Sequence, residues 1–185
     1  MPSYFHDVAP EAGGDSVLRR LQGLDLTNQL NRRIRDENLE GKVVLVDFFC
    51  RGAGKQQADR LNYLRQIQLA FAKSDSSLQL LSIGLGPGAD SLSVLRQVAD
   101  SFHADPDSWW LARGSRKEVY GLFGRLMGTA VPDTSIRAAD LYARDRWVLL
   151  DKHRFVRGYY SGLDSADLRH CLRDISLLMV EREKH

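Results

Sequence analysis

The stretch that decides the fold is Lys42-Val43-Val44-Leu45-Val46-Asp47-Phe48-Phe49-Cys50. It is a nearly continuous run of aliphatic and aromatic residues, which a single acidic residue interrupts. A strand with one face in water alternates apolar and polar residues, whereas a continuous apolar run is typical of a strand buried on both faces. The run therefore predicts a central strand in a sheet that has helices on both sides.

Helical and strand patterns alternate on the carboxyl-terminal side of this run. Apolar residues that recur every three or four positions indicate helices, and short apolar runs between turn signals indicate strands. The predicted elements are, in order, a helix over 54–73, a strand over 78–85, a helix from Asp90-Ser91, a strand over 109–111, a helix over 115–127, a loop over 128–143, a hairpin of strands 146–151 and 155–160, and a last helix from Asp164-Ser165. This alternation predicts an α/β domain.

The amino-terminal part of the chain has a different pattern. Residues 1–16 are rich in Pro, Gly and Asp and are predicted to form an irregular arm. Residues 17–39 are predicted to form short strands around the turn Leu30-Asn31-Arg32, because Asn tolerates left-handed backbone. A chain of 185 residues is long enough to close one hydrophobic core, so 17–185 is predicted to be a single domain.

The net charge and the hydropathy of the chain bear on nucleic-acid binding and on membrane insertion. A net charge of +2 gives no basic field for a nucleic acid. This chain contains no apolar stretch long enough to span a bilayer and no signal-peptide pattern. Met1-Pro2-Ser3 fits a natural cytoplasmic start, and it fits equally a start placed where an export segment or anchor was removed. The sequence leaves both open, and it does not indicate an oligomeric state.

The two cysteines, Cys50 and Cys171, lie far apart and do not form a C-x-x-C metal spacing. Free cysteine is usually buried, so each is expected to be a small core residue. A disulfide between them is the less favoured alternative.

In alternating folds, a ligand site lies where a central strand runs into its helix, which here is the segment 49–59. Gly54-Lys55 invites comparison with a phosphate-binding P-loop, but Phe49 and Gln56 stand where that motif needs Gly and a hydroxyl. A dinucleotide fingerprint at Gly84-Leu85-Gly86-Pro87-Gly88 is equally weak, because Pro87 interrupts the turn. Nucleotide binding is therefore not favoured.

Several stretches together resemble a known family. They are Leu26-Thr27-Asn28-Gln29, Leu39-Glu40-Gly41-Lys42, Val44-Leu45-Val46-Asp47-Phe48-Phe49, Leu81-Ser82-Ile83, Trp109-Trp110, Trp147-Val148-Leu149-Leu150-Asp151-Lys152 and Arg157-Gly158-Tyr159-Tyr160-Ser161-Gly162-Leu163-Asp164. In order and spacing, from about residue 17 to the end, the chain is similar to the SCO/SenC proteins, which deliver copper to cytochrome oxidase. The resemblance implies a thioredoxin-like three-layer α/β/α domain with an added N-terminal β-hairpin. It also implies a protein partner in respiratory oxidase assembly and a place at the periplasmic face of the inner membrane.

The family carries a Cys-x-x-x-Cys loop and a His as copper ligands. Aligned on the resemblance, these positions hold Ala53, Gln57 and Ala143, and Gly86 stands where the family usually has Asp. Copper sites of this kind need thiolate and imidazole ligands, which methyl groups and a carboxamide do not replace. A degenerate member is therefore expected, with copper binding lost, no cofactor and no catalytic residue.

Other residues are poor substitutes for the missing ligands. His153 lies ten residues past Ala143, on the order of 20–30 Å along an extended strand. His103 is expected to end a helix in left-handed backbone. The remaining histidines, His6, His170 and His185, do not converge on the segment. The acidic residues Asp133, Asp140 and Asp145 are expected to be solvated loop charges.

Three hypotheses about function remain. The favoured one is a non-catalytic SCO-like domain, and so not an enzyme, that binds a protein partner. The second is copper or thiol chemistry through Cys50, alone as a possible redox residue or in a site shared between subunits. The third is a small-molecule binder that uses the space vacated by the ligands.

Overall fold

The computed structural model of the protein describes residues 19–73, 77–86, 91–129, 131 and 135–181. The predicted arm, 1–16, lies outside these residues. The strands are β1 (Asp25–Asn28), β2 (Arg33–Arg35), β3 (Val43–Cys50), β4 (Leu78–Leu85), β5 (Trp109–Arg113), β6 (Trp147–Leu150) and β7 (Val156–Tyr160). The helices are α1 (Gly54–Phe71), α2 (Leu92–Phe102), α3 (Arg116–Met127), α4 (Ala138–Tyr142) and α5 (Ser165–Val180), with a 3₁₀ turn at Asp36–Leu39.

The strands form one mixed sheet in the order β2-β1-β5-β4-β3-β6-β7. β3 lies near its centre, parallel to β4 and antiparallel to β6. All eight residues of β3 are buried, which confirms the prediction from its continuous apolar run.

Successive side chains of β3 point into two different cores, as the twofold period of a strand requires. Val44, Val46 and Phe48 pack with the 3₁₀ turn, α3 and α4. Val43 and Leu45 pack on the other face, with α1, α2 and α5. Helices therefore cover both faces of the sheet, and the predicted three-layer α/β/α arrangement is confirmed.

The amino-terminal hairpin is also confirmed. β1 and β2 pair antiparallel, with Asn31 between them at a φ of 61°. β1 then pairs with β5 and extends the sheet. Beyond this pairing, the Gln29 side chain donates to the Trp109 carbonyl at 2.9 Å and accepts from the Leu111 N–H at 3.0 Å. These bonds continue the ladder by one residue, so the hairpin is fixed to the main sheet.

The helix ends follow ordinary capping chemistry. Ser91 and Asp164 accept bonds from the first turns of α2 and α5, and Ser115 forms a capping box with Glu118 on α3. α2 ends at His103 with a φ of 52°, as expected from the sequence.

One prediction of secondary structure is wrong. The segment 128–143, expected to be a loop, contains the short helix α4. This five-residue helix has no side-chain cap at its start. Its buried residues, Leu141 and Tyr142, pack on the sheet. Such a helix depends on tertiary contacts, because a single turn is not stable by itself.

Candidate functional site

The segment singled out by the sequence forms a tight turn between β3 and α1. Two glycines in it, Gly52 and Gly54, have positive φ values of 93° and 64°. Ala53 lies between them and precedes α1 without a side-chain cap. Its N–H donates to the carbonyl of Cys50 at 3.1 Å. The left-handed glycines let the chain turn directly from the strand into the helix.

Gln57, on the first turn of α1, folds back onto the strand. Its Oε1 atom accepts a hydrogen bond from the Cys50 backbone N–H at 2.9 Å. The carboxamide therefore satisfies the last donor of β3, which the loop would otherwise leave without a partner. This bond gives Gln57 a structural part in closing the turn.

Ala143 reaches the same end of the sheet from the other side. It is the residue that follows α4, and β6 begins shortly after it. β6 runs antiparallel to β3, with Val148 opposite Val46. Continuing this register past the strand ends brings 143–146 to the 48–51 end of β3. The structure therefore brings Ala53, Gln57 and Ala143 to one edge of the sheet.

The histidines lie elsewhere. His153 is in the turn between β6 and β7, at the end of β6 opposite to Ala143, and its N–H donates to Asp151. His103 ends α2, and His170 is on α5. His6, His185 and Asp133 lie outside the described residues. Among the residues that the structure describes, no three His, Cys, Asp or Glu side chains are grouped so as to hold a metal ion.

A buried ionic cluster lies below this turn. The Arg60 guanidinium, on α1, donates to the carboxylate of Asp47 at 2.8 Å and to that of Asp145 at 2.6 Å. All three side chains are at most 2% exposed. The expectation that Asp145 is a solvated loop charge is therefore wrong. Asp140 is half-exposed and paired with Arg137, in line with that expectation.

Two aromatic residues enclose the ionic cluster. Trp147 Nε1 donates to the carboxylate of Asp47 at 3.1 Å. The guanidinium carbon of Arg60 lies 5.5 Å from the centre of the Tyr142 ring and 6.0 Å from that of Trp147. A cation held between two aromatic rings gains electrostatic stabilisation that offsets part of its desolvation.

The cluster holds two carboxylates and one guanidinium, so full ionisation leaves one uncompensated negative charge. Burial raises the pKa of Asp47 and raises that of Asp145 well above its ordinary value, although attraction to Arg60 opposes both shifts. Burial also raises the pKa of the Tyr142 phenol, which keeps it neutral. The Asp145 Oδ1, Arg60 Nε and Tyr142 hydroxyl atoms are buried without a hydrogen-bond partner in the described residues.

Sequence reasoning missed this cluster, but two signals of it are present. Asp47 is the one polar residue in the apolar run of β3, and such a residue needs a partner when it is buried. Arg60 occupies the apolar face of α1, four residues before Leu64 and seven before Ile67. A buried Asp and a buried Arg within one strand–helix unit predict a pair. Asp145 gave no signal, because only the tertiary fold buries it.

The two cysteines are free and buried, as expected. Cys50 belongs to the core that α3 and α4 cover, and Cys171 belongs to the core on the other face of the sheet. Burial raises the pKa of both thiols. The sheet separates the two residues, so the alternative of a disulfide between them is excluded.

Comparison with known proteins identifies the family to which the chain belongs. A model of the SCO1/SenC family matches residues 21–175 of the chain. The chain therefore belongs to the SCO1/SenC family, and it has the thioredoxin-like fold of that family. Comparison with curated protein sequences gives no match.

Solved structures show the same fold at low sequence identity. BsSco, a member of the Sco family of cytochrome c oxidase assembly proteins, has a TM-score of 0.74 at 15% identity, over 91% of this chain and 98% of that one. A SCO1/SenC family lipoprotein from Bacillus anthracis has a TM-score of 0.72 at 19% identity, over 88% and 96%. Yeast Sco1, solved with copper bound, has a TM-score of 0.63 at 17% identity, over 89% and 93%.

Proposed function

We propose that this protein is a SCO/SenC domain without copper chemistry, which acts as a protein-binding accessory factor in the assembly of a respiratory oxidase. One observation carries the proposal. Ala53, Gln57 and Ala143, which stand at the ligand positions that the resemblance to the family implies, lie at one edge of the sheet. The fold is that of the family, and these three side chains offer neither a thiolate nor an imidazole group.

The chemistry of these side chains supports the loss of copper. Copper sites of this kind use thiolate sulfur and imidazole nitrogen. Ala53 and Ala143 offer methyl groups, which have no lone pair. Gln57 offers an amide oxygen, which already accepts the Cys50 N–H. This donor set does not fit a copper ion.

Cys50 is the remaining thiol at this edge, and it supports the competing function of copper or thiol chemistry. Reactive cysteines have a lowered pKa and an accessible sulfur atom. Cys50 has the opposite properties, because it is 7% exposed and burial raises its pKa. Its environment therefore favours the accessory role over redox chemistry.

The small-molecule alternative has little support at this edge. A groove of about 400 Å³ is lined by β1, the residues just before it and α3, among them Leu24, Leu26 and Leu122, rather than by the turn after β3. We therefore do not prefer a small ligand in the space of the missing copper.

A periplasmic place at the inner membrane belongs to the same proposal. It is supported by membership of the family and by the lipoprotein among the similar structures. None of the helices in the described part of the chain is long and apolar enough to cross a bilayer.

Copper titration of the reduced protein tests the proposal. We expect no stoichiometric Cu(I) binding by the natural protein or by Cys50→Ser, because neither has a set of soft ligands at the site. The triple variant Ala53→Cys, Gln57→Cys, Ala143→His restores the family's ligands, and we expect it to bind one Cu(I) ion per chain. Equilibrium competition with a chromophoric Cu(I) chelator measures all three proteins.

Two results would contradict the proposal. Stoichiometric binding by the natural protein that disappears in Cys50→Ser would establish copper handling through Cys50. A folded triple variant that does not bind Cu(I) would show that the assigned ligand positions are wrong.

A further inference from the structure

Three exposed arginines lie around the edge of the sheet where the ligand positions meet. Arg51 follows β3, and Arg144 and Arg146 precede β6. The antiparallel register of β3 and β6 brings 144–146 beside the end of β3. Arg60 ties the two segments together there, since its guanidinium donates to Asp47 on β3 and to Asp145 before β6. We propose that Arg51, Arg144 and Arg146, here called the arginine patch, dock an acidic segment of a partner protein.

Little of the charge of the arginine patch is neutralised by its described surroundings. Among the residues that the structure describes, no carboxylate forms an ion pair with any of the three arginines. The nearby acidic residues have other partners. Asp47 and Asp145 are paired with Arg60, and Asp59 with Lys55. Asp140 is paired with Arg137, and attraction to Arg144 adds to the lowering of its pKa. The edge therefore presents cationic groups whose charge is available to a partner.

The helix at this edge adds to the positive potential. α1 has no acidic residue in its first turn and no side-chain cap at its start. The positive end of its dipole therefore faces the same side as the arginine patch, without the negative charge that usually compensates it.

The size and distribution of the charge favour an acidic protein segment over other anions. Stable binding to an anionic membrane takes a cluster of about four to eight basic residues, and nucleic-acid binding takes a basic stripe. Three arginines on a chain of net charge +2 form neither. Guanidinium groups bind carboxylates in a two-pronged geometry, which suits a short run of Asp and Glu residues.

This inference rests on the proposed function, since it supplies the chemistry of the partner that an accessory factor needs. The probe is a fluorescein-labelled oligo-glutamate peptide of about twelve residues, and the readout is fluorescence anisotropy at low salt. The test variant is Arg51→Gln, Arg144→Gln, Arg146→Gln. The matched control is Arg32→Gln, Arg65→Gln, Arg169→Gln, which removes the same charge from exposed positions on the hairpin turn, α1 and α5.

We expect the test variant to bind the peptide about tenfold more weakly than the natural protein does. The control variant should bind it about as tightly as the natural protein does, because charges in direct contact contribute most. Equal loss in both variants would overturn the proposal, since it would show that net charge alone matters. So would failure of the natural protein to bind the peptide. Binding to phosphatidylserine vesicles that depends on the arginine patch, with no binding of the peptide, would overturn it in favour of a lipid surface.

Thermal unfolding verifies that both variants are folded. Because the substituted arginines are exposed, we expect both variants to unfold near the unfolding temperature of the natural protein. The copper titration distinguishes failure of this inference from failure of the proposed function. Copper binding through Cys50 would end the proposed accessory role without changing the peptide result. Failure of the natural protein to bind the peptide would leave the outcome of the copper titration unchanged.

Discussion

At the scale of single residues, the most consequential group is the cluster of Asp47, Arg60 and Asp145. It connects β3, α1 and the segment before β6, which meet at the edge of the sheet where Ala53, Gln57 and Ala143 lie. In this protein, a buried ionic contact joins these parts. Such a contact is stabilising only while it is complete, because a buried charge without a partner is costly.

Replacing Arg60 with Met tests this role. The variant leaves two buried carboxylates without their cation, so we expect the free energy of unfolding at pH 7 to fall by about 3–5 kcal/mol. Urea unfolding followed by circular dichroism measures the loss. The loss should become smaller as the pH is lowered, because burial raises the pKa of both carboxyl groups and their protonation removes the unpaired charge.

The matched control is Asp145→Asn, which removes the excess negative charge and keeps Arg60 paired with Asp47. The pKa of Asp145 in the folded state is raised above its ordinary value of 3.8. Its contribution to the stability of the native state is therefore fully present at pH values below 3.8. This contribution is lost as the pH rises through the raised pKa. The free energy of unfolding of Asp145→Asn, relative to that of the natural protein, should therefore increase from pH 4.5 to pH 7. A constant difference between the two would contradict the raised pKa.

At the scale of elements, the end of β4 meets α4 at Gly86. Gly86 has a φ of 79°, and a Cβ atom built on it would lie 2.5 Å from the Cβ of Ala138. A side chain does not fit there while α4 keeps its place. An Asp side chain at this position is therefore incompatible with the packing of α4 on the sheet.

A pair of glycine variants separates packing from backbone strain. Gly86→Ala introduces both the contact with Ala138 and the strain of positive φ. Gly41→Ala introduces strain alone, because Gly41 has a φ of 72° and nothing within 4 Å. We expect a loss of about 1 kcal/mol for Gly41→Ala and about 2–4 kcal/mol for Gly86→Ala. Chemical denaturation measures both, and equal losses would show that α4 moves aside without cost.

At the scale of the whole molecule, the sheet divides the protein into two separate cores. Cys50 lies in one and Cys171 in the other. Cysteines must approach within about 7 Å between Cα atoms to form a disulfide, and a sheet with side chains on both faces keeps these two apart. The folded protein is therefore expected to keep both thiols under oxidising conditions.

Mass spectrometry tests this expectation. After exposure to oxidised glutathione, denaturation and alkylation, we expect the main product to carry two alkyl groups per chain. In the native state, Cys50 at 7% exposure should react slowly, and Cys171 at 0% should react only on unfolding. A product lighter by two hydrogens, with no alkyl group, would contradict the separation of the cores.

Much of the fold was predictable because local patterns carried it. The continuous apolar run of β3, the helical spacing in α1 and α2, the turn at Asn31 and the left-handed end at His103 all appear in the structure as the sequence indicates. Each depends on residues close together in the chain. The helix α4 was missed, since its five residues are held by contacts with distant parts of the sheet.

The sequence by itself determined an α/β domain with a buried central strand and the resemblance to the SCO1/SenC family. Only the tertiary structure decided that Asp145 is buried against Arg60 and that Arg51, Arg144 and Arg146 share one edge. The physical reason is that composition and periodicity report burial along one element. The partner of a charge is set by strand register and by the packing of helices, which join residues far apart in the chain.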